Sequence, residues 1–261
     1  MEYRPRIGIT MRLEIATDRF YLGRDYSEAI EAFGGIPVHL ALIPKPDYIA
    51  EALQGLDGIL LPGSNTDVDP HYYGEEPHHK LGTVIPEKDE TDRLVLEQVE
   101  SANLPLLAIC YGMQALNVVR GGSLIQDIES QINGSIKHEQ GIPATRNSHS
   151  IKIGEGGILS GLSVAKEGIA IRVNTSHHQA IGRLGRDLKA TAWAADGVIE
   201  CIEDIREGRF VLGVQWHPEL TKNFDRLSQE IFRYFVDTCK KRVGERGSKS
   251  NSEDVVSRFS R

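Results

Sequence analysis

Cysteine and long apolar runs are scarce in this sequence of 261 residues, and basic residues are outnumbered by acidic ones. Only three cysteines occur, Cys110, Cys201 and Cys239, and their scattered positions without CxxC spacing argue against a disulfide framework or a cysteine zinc site. No stretch approaches the roughly 20 apolar residues that a membrane-spanning helix needs. The formal net charge of −7, with no basic stripe before the C-terminal tail, argues against nucleic-acid binding.

The remaining composition is that of a globular protein. Hydrophobic residues make up 40% and charged residues 26% of the chain, which lies far from the compositions of disordered, fibrous or membrane proteins. The first ten residues, MEYRPRIGIT, contain no continuous apolar segment of the kind that a secretory signal needs. We therefore expect a cytoplasmic protein with neither nucleic-acid nor membrane partners.

Short apolar runs alternate with longer amphipathic stretches along most of the chain, which predicts an α/β fold with a mostly parallel, doubly wound sheet flanked by helices. Additional strands after residue 121, several of them antiparallel, are predicted from short alternating runs. Predicted strands cover residues 7–10, 37–42, 58–61, 105–109, 150–153, 170–173, 190–194, 198–202 and 210–215, and predicted helices cover 26–33, 48–53, 90–102, 111–119 and 225–243. We predict one domain over residues 1–243 and a polar, disordered tail over 244–261.

Cys110 is the candidate nucleophile. The segment LPLLAICYGMQALN places it where a short, wholly apolar strand meets a helix, with the small residues Ala108 and Gly112 on either side. A sharp strand-to-helix turn of this kind exposes a nucleophile above the sheet, and the positive end of the helix favours the thiolate. A lone free cysteine is more often a small buried hydrophobe, but the junction favours the catalytic interpretation.

The run FVLGVQWHPEL supplies a candidate base and a residue to orient it. Pro218 keeps His217 extended, and residues two apart in an extended segment point to the same side, so Glu219 can accept a hydrogen bond from the imidazole. A single HPE is weak evidence, because a histidine at a strand end is more often a surface or core residue. Both Cys110 and His217 follow apolar strands, so they can meet where the carboxyl ends of parallel strands form a ligand site.

Several other residues are candidates for substrate binding. Gly63, in GILLPGSNTDVDP, and the N–H of Tyr111 are predicted to form an oxyanion hole, although PGS by itself is more typical of a plain turn. Gln114 lies one helical turn beyond Cys110 and is interpreted either as a substrate-binding residue or as a surface glutamine. The loop VNTSHHQAI is interpreted as a binding loop rather than a solvated one, through its polar residues Asn174, Ser176, His177, His178 and Gln179.

The sequence predicts no metal and no cofactor. The adjacent side chains of His177 and His178 diverge in most backbone conformations, and no HExxH or equivalent spacing accompanies them. The nearby set of Asp67, Asp69 and His71 is interpreted as a solvated acidic loop rather than a calcium or zinc site.

The combined motifs resemble those of class I glutamine amidotransferases. The matching segments are ICYGMQALN, the following GGSL and QD, the HHQ segment and VLGVQWHPE, while PGSNTDVDPHYYGE, VNTSHHQAI and DGVIE are similar to the gamma-glutamyl-gamma-aminobutyrate hydrolase branch. The resemblance implies a thiol hydrolase of polyamine catabolism, with Cys110, His217 and Glu219 as its triad. Two positions depart from the branch pattern: Ala108 replaces the first glycine of its elbow, and Tyr111 stands where arginine is common.

The predicted reaction is cleavage of a small gamma-glutamyl amide, such as gamma-glutamyl-GABA, to glutamate and an amine through a glutamyl thioester on Cys110. Two alternatives remain open. One is a glutaminase subunit that delivers ammonia to a synthase partner, against which the extended loop over residues 67–82 favours a self-contained hydrolase. The other is a catalytically silent binding protein on the same scaffold, which would have no chemical need for an intact triad. The sequence leaves open whether the chain forms a homo-oligomer.

Overall fold

The protein folds around a nine-stranded mixed sheet. The structure is a computed structural model that describes residues 3–162 and 170–258, and for residues 244–258 only the backbone is described. The strands are β1 (Arg6–Thr10), β2 (Arg12–Glu14), β3 (Arg19–Tyr21), β4 (Ile36–Leu40), β5 (Gly58–Leu61), β6 (Leu106–Ile109), β7 (Leu124–Ile125), β8 (His149–Ile153), β9 (Ile171–Val173), β10 (Ala180–Ile181), β11 (Leu188–Ala194), β12 (Ile199–Asp204) and β13 (Val211–Val214). The α-helices are α1 (Arg24–Ala32), α2 (Pro46–Ala52), α3 (Pro86–Ala102), α4 (Tyr111–Val119), α5 (Ile128–Gln131), α6 (Ile158–Leu162), α7 (Pro218–Thr221) and α8 (Arg226–Arg258).

The strand order is β4-β1-β5-β6-β13-β12-β11-β8-β9, and the first five of these strands are parallel. The last four continue the sheet in antiparallel fashion. Parallel neighbours require crossover connections, which α1, α2 and α3 supply among the first four parallel strands in the sequence. The predicted α/β fold class, including its additional antiparallel strands, is confirmed.

Helices cover both faces of the parallel half because its strands are apolar on both sides. In β5, Ile59 and Leu61 pack into one buried layer with residues of α2, α3 and α4, whereas Leu60 packs into the other layer with residues of α1 and α8. This alternation follows from the two-residue period of a strand. The sheet is therefore a rigid platform, and the loops at the carboxyl ends of its strands can carry chemistry.

Several boundaries differ from the sequence prediction. Helix α3 begins at Pro86 rather than near residue 90, because proline fits the first helical position and acidic residues favour the first turn. Helix α8 continues beyond the predicted end at residue 243 to Arg258. The disordered tail over 244–261 stays a prediction, since residues 259–261 and the side chains of 244–258 lie outside the described part. The small elements β2, β3, β7, β10, α5, α6 and α7 were not predicted. Among the described residues, no helix has the length and apolarity to cross a membrane.

Gly112 lets α4 pack closely on β5. A Cβ atom at this position would lie 2.4 Å from the Leu61 carbonyl oxygen and 2.7 Å from the Leu61 Cβ. Because the first obstacle is backbone, it cannot rotate away as a long side chain could. The small residue that the sequence places after Cys110 is thus required by the close approach of helix and strand.

Replacing Gly112 with alanine should lower the free energy of unfolding by about 1–3 kcal/mol, the usual cost of forcing an added methyl group into a packed interior. Urea unfolding followed by circular dichroism measures the change. Gly23→Ala is the matched control, because a Cβ there would lie 3.7 Å from the Tyr26 ring, an ordinary contact. Equal stability of the two variants would contradict the close packing described here.

Candidate active site

The carboxyl ends of β5, β6 and β13 converge on one side of the sheet. Cys110 follows β6 directly, and its backbone N–H donates a 2.7 Å hydrogen bond to the carbonyl of Val214 at the end of β13. The parallel pairing of β6 with β13 therefore brings Cys110 close to His217, although the two residues lie far apart in the sequence. Both predicted catalytic residues lie beside the same cavity.

Cys110 occupies a sharp turn between strand and helix. It is the N-terminal cap of α4, and its backbone has φ 51° and ψ −109°, a conformation with positive φ that non-glycine residues rarely adopt. Strain of this kind persists only where surrounding structure enforces it, and it is concentrated at functional sites. The Cys110 side chain is buried, and its sulfur lies 4.0 Å from the carbonyl oxygen of Ser176.

His217 is held by two neighbours. Its Nδ1 lies 2.7 Å from Oε1 of the buried Glu219 carboxylate, as the sequence predicted. Asn174 fixes the backbone, since its side chain accepts a hydrogen bond from the His217 N–H at 3.1 Å and donates one to the His217 carbonyl at 2.9 Å. Asn174 was interpreted from sequence as part of a ligand-binding loop. In the structure, these contacts fix the backbone of His217, and a role of Asn174 in ligand binding stays a prediction.

Two opposing effects act on the pKa of His217. Burial opposes a positive charge on the ring, but the Glu219 carboxylate and then a negative charge at Cys110 outweigh burial, so the pKa of His217 lies well above its ordinary value. The raised pKa favours the imidazolium form of the ring. An imidazolium beside a thiol is the arrangement that favours a thiolate nucleophile.

Gly63 lies between the side chains of Cys110 and His217. A Cβ atom there would be 2.8 Å from Cε1 of His217 and 3.4 Å from Cβ of Cys110, so only glycine fits. The Gly63 N–H donates a 3.0 Å hydrogen bond to the hydroxyl of Tyr26, and the Gly63 carbonyl accepts one of 2.6 Å from Arg12. The predicted oxyanion role of this N–H would require it to exchange Tyr26 for the substrate oxygen.

Tyr26 and Arg12 are two residues of the site that the sequence interpretation missed. Burial and then the neighbouring Glu219 raise the pKa of Tyr26 well above its ordinary value, so its hydroxyl stays neutral. Arg12 donates to that hydroxyl at 3.2 Å and also lines the cavity. A sequence signal existed for Arg12, which follows the apolar strand β1 just as Cys110 follows β6.

Tyr111 separates into a backbone group and a side chain with different surroundings. Its N–H belongs to the first turn of α4, where backbone donors have no partner within the helix. Its side chain is buried away from the cavity, where the hydroxyl donates to Asp89 and the ammonium of Lys88 lies 4.6 Å from the ring centroid. The departure from the branch pattern at this position therefore affects packing behind the elbow rather than the cavity wall.

The other predicted binding residues all line the cavity: Gln114, Ser176, His177 and His178. Gln114 is buried, and its amide donates to the carbonyl of Gln179 and to Gln215, so it is not a surface glutamine. His178 contacts the opposite wall, with its Nε2 2.9 Å from Asp67. His177 is buried and directs its ring behind the cavity. Whether these four residues bind substrate stays a prediction.

The loop around Asp67 was expected to be solvated, and for Asp67 that expectation is wrong. Asp67 is buried and accepts a 2.6 Å hydrogen bond from the Gly82 N–H, while its own N–H donates to the Thr83 carbonyl. These bonds close the base of the long loop and hold it against the cavity. The polar composition of the loop did not reveal these hydrogen bonds, because the partner residues Gly82 and Thr83 lie at the other end of the loop.

The cavity has a volume of about 310 Å³ and a polar wall. Its charged groups include the guanidinium of Arg12 and the carboxylates of Asp67 and Glu139, which lie beside Cys110 and His217. A larger cleft of about 860 Å³ lies against β8 and β11, but its described lining contains neither cysteine nor histidine. The smaller cavity is thus the candidate active site. In the described residues, side chains grouped closely enough to hold a metal ion lie elsewhere, at His138, His149 and Glu200.

Comparison with known proteins identifies the family of the chain. The family model described as Peptidase C26 matches residues 5–219, a span that includes the whole candidate site. The chain belongs to the Peptidase C26 family. This confirms the predicted relationship to class I glutamine amidotransferase-like proteins and identifies the chain as a hydrolase of that kind.

Two curated relatives of this Peptidase C26 member align over most of their length. Protein NtpR of Enterococcus hirae is 35% identical over 240 residues, covering 89% of this chain and 98% of that protein. Gamma-glutamyl-gamma-aminobutyrate hydrolase PuuD of Escherichia coli strain K12 is 32% identical over 231 residues, covering 86% and 89%. A Thermoplasma acidophilum structure named as a GMP synthase subunit shares the fold, with a TM-score of 0.63, 17% identity and coverage of 96% and 100%.

The raised pKa of His217 predicts a specific titration. Its Cε1–H resonance, assigned by comparison with His217→Gln, should titrate well above the pH range of an ordinary histidine, and Glu219→Gln should move the midpoint down. Because the folded pKa exceeds the unfolded one, the stabilisation is present below the unfolded pKa and is lost as pH rises through the folded pKa. An unchanged midpoint in Glu219→Gln would show that the carboxylate does not control the ring.

Proposed function

We propose that this protein hydrolyses gamma-glutamyl amides, such as gamma-glutamyl-GABA, to glutamate and an amine. The observation that carries the proposal is the cavity shared by Cys110, on its strained turn, and His217, whose ring is paired with the buried Glu219. The relative PuuD, whose name describes hydrolysis of gamma-glutamyl-gamma-aminobutyrate, supports this choice of substrate. The small polar cavity also suits an amino-acid amide better than a large or apolar substrate.

The proposed reaction has two halves. The Cys110 thiolate attacks the gamma-carbonyl carbon, and the resulting tetrahedral oxyanion is stabilised by the Tyr111 N–H and by the Gly63 N–H once it exchanges its partner. His217 gives its proton to the nitrogen as the carbon–nitrogen bond breaks, which releases the amine and leaves a glutamyl thioester. His217 then takes a proton from water, and the resulting hydroxide attacks the thioester carbon. This step releases glutamate and regenerates the Cys110 thiolate. Glu219 keeps the ring oriented throughout.

The charges of the cavity wall fit the glutamyl group. The alpha-carboxylate of the substrate requires a cation, and the planar guanidinium of Arg12 can bind it through two parallel hydrogen bonds. The alpha-ammonium requires anions, which Asp67 and Glu139 supply. The long loop closed by Asp67 and Gly82 forms part of the wall, which favours a self-contained hydrolase over one whose site is completed by a partner.

The proposal is tested by measuring glutamate release from gamma-glutamyl-GABA, other gamma-glutamyl amides and glutamine. Wild-type protein should turn over the larger amides, and Cys110→Ala should lower kcat at least a thousandfold while retaining the fold, because it removes the nucleophile. Cys239→Ala is the matched control, since Cys239 is buried against β5 on the opposite side of the domain from the nucleophile's cavity and should leave turnover intact.

Other outcomes of this assay identify the alternatives. Glutamine hydrolysis that appears only with an added synthase would indicate an ammonia-delivering subunit. No turnover of any amide, together with no alkylation of Cys110 by iodoacetamide, would indicate a silent binding protein. Turnover that persists in Cys110→Ala would remove the proposed mechanism altogether.

Arg12→Gln should raise KM for gamma-glutamyl amides roughly tenfold to a hundredfold with a smaller change in kcat, because it removes the cation that faces the substrate carboxylate. Steady-state kinetics of the variant measure both constants. Arg19→Gln, on the neighbouring strand β3, is the matched control because Arg19 is exposed and does not line the cavity. A KM that is unchanged in Arg12→Gln would assign carboxylate binding to another group.

A further inference from the structure

A second group of ionisable side chains is buried directly behind the candidate active site. It consists of His138, His149, His177 and Glu200, whose side chains are 2%, 6%, 2% and 0% exposed. The four residues come from separate parts of the chain, because His149 begins β8, Glu200 lies in β12 and the other two belong to loops. None of the four takes part in a chemical step of the proposed reaction, although His177 also lines the cavity as a predicted binding residue. We call them the His3Glu cluster.

Hydrogen bonds on the outer side of the cluster determine which ring nitrogens carry protons. His138 Nε2 lies 2.9 Å from the Asp196 carboxylate, and His177 Nδ1 lies 2.9 Å from the Gln179 carbonyl oxygen. Both partners accept hydrogen bonds, so both outer nitrogens must be donors. The inner nitrogens His138 Nδ1 and His177 Nε2 lie 3.3 Å apart, so either one of them carries a second proton and donates to the other, or a cation lies between them and Glu200.

The Glu200 carboxylate is surrounded by three imidazoles but has no hydrogen bond to any of them. Among the described residues, neither of its oxygens has a hydrogen bond, and neither ring nitrogen of His149 has one. Yet Glu200 Oε1 lies only 3.0 Å from His149 Nε2. Glu200 Oε1 and His149 Nε2 are thus close together without a hydrogen bond between them. Two ligands of one cation are arranged in the same way. A buried carboxylate without compensation is costly, so the cluster requires a positive charge at its centre.

The inner atoms of His138, His149 and Glu200 lie within 4.8 Å of one another, close enough to share one metal ion, and His177 Nε2 lies beside them. Donors bound at about 2.0–2.1 Å in tetrahedral geometry lie about 3.3–3.4 Å from each other. Around Glu200 Oε1, the distances to the nitrogens of His149, His138 and His177 are 3.0, 3.4 and 3.7 Å, and the two inner nitrogens of His138 and His177 are 3.3 Å apart. The outer bonds to a carboxylate and a carbonyl are those that orient metal-binding histidines in proteins.

We propose that the His3Glu cluster binds one divalent transition-metal ion of the zinc class in a closed structural site. The two imidazoles and one carboxylate of His138, His149 and Glu200 suit this class, the His177 imidazole beside them can supply the fourth ligand, and the burial of all four residues leaves no open position for chemistry. The ion would join β8 and β12 to the loop that carries His177. Since that loop also places the Ser176 carbonyl beside the Cys110 sulfur, the site would hold the wall of the active site from behind.

The test measures bound metal, which does not depend on hydrolysis. Cys110→Ala protein is used alongside the wild type because Cys110 and His217 could themselves bind added zinc. After incubation with Zn²⁺ and dialysis against a weak chelator, both should retain about one equivalent of zinc per chain by mass spectrometry. Removal of zinc with a strong chelator should lower Tm, and its return should restore Tm. Co²⁺ bound to Cys110→Ala should show the visible spectrum of a four-coordinate nitrogen and oxygen site.

His149→Ala in the Cys110→Ala background should reduce the bound zinc to below about a tenth of an equivalent. His71→Ala is the matched control, because His71 is exposed and remote from the cluster in the fold, and it should retain the metal. A Cys110→Ala protein that retains no zinc and shows no Tm response would overturn the proposal and identify the central charge as a proton. Equal metal content in the His149 and His71 variants would overturn it as well. If His149→Ala does not fold, the zinc content and cobalt spectrum of Cys110→Ala decide.

Discussion

The hydrogen bond from the Cys110 N–H to the Val214 carbonyl joins the ends of two parallel strands, and the candidate active site depends on that junction. It extends the pairing of β6 with β13 by one residue and holds Cys110 in the positive-φ turn from which α4 begins. The same pairing fixes where the chain leaves β13, and therefore where His217 lies. It places Cys110 and His217 at the ends of neighbouring strands, so their relative position follows from the sheet itself.

The parts of the fold that could be predicted are those encoded by local patterns. The apolar run of β6, the helical periodicity of α4 and the extended HPE segment each lie within about ten residues, so period and composition suffice to recognise them. Once the strands are taken as parallel, the convergence of Cys110 and His217 follows from the rule that such strands carry functional groups at their carboxyl ends. The contact of His217 with Glu219 is likewise local, since only two residues separate them.

The contacts that could not be predicted are those between distant segments. Nothing in the sequence around Tyr26 indicates that its hydroxyl meets the Gly63 N–H, because this contact depends on how α1 packs on the sheet. The same holds for the His3Glu cluster. The sequence argument against a metal concerned adjacent histidines and short ligand spacings, whereas the cluster draws on strands and loops that only the antiparallel half of the sheet brings together.

The loop from Asn174 to Gln179 connects the two buried sites. Asn174 binds both backbone groups of His217, Ser176 presents its carbonyl to the Cys110 sulfur, and His177 turns into the His3Glu cluster. Thr175, His177 and Gln179 are buried while Ser176 and His178 between them are more exposed, so one face of this part of the loop is directed toward the cavity and the other toward the interior. A loop held by polar contacts on both sides loses less entropy when substrate binds than a mobile loop would. The charge buried behind the cavity therefore contributes to preorganisation of the site rather than to the chemistry itself.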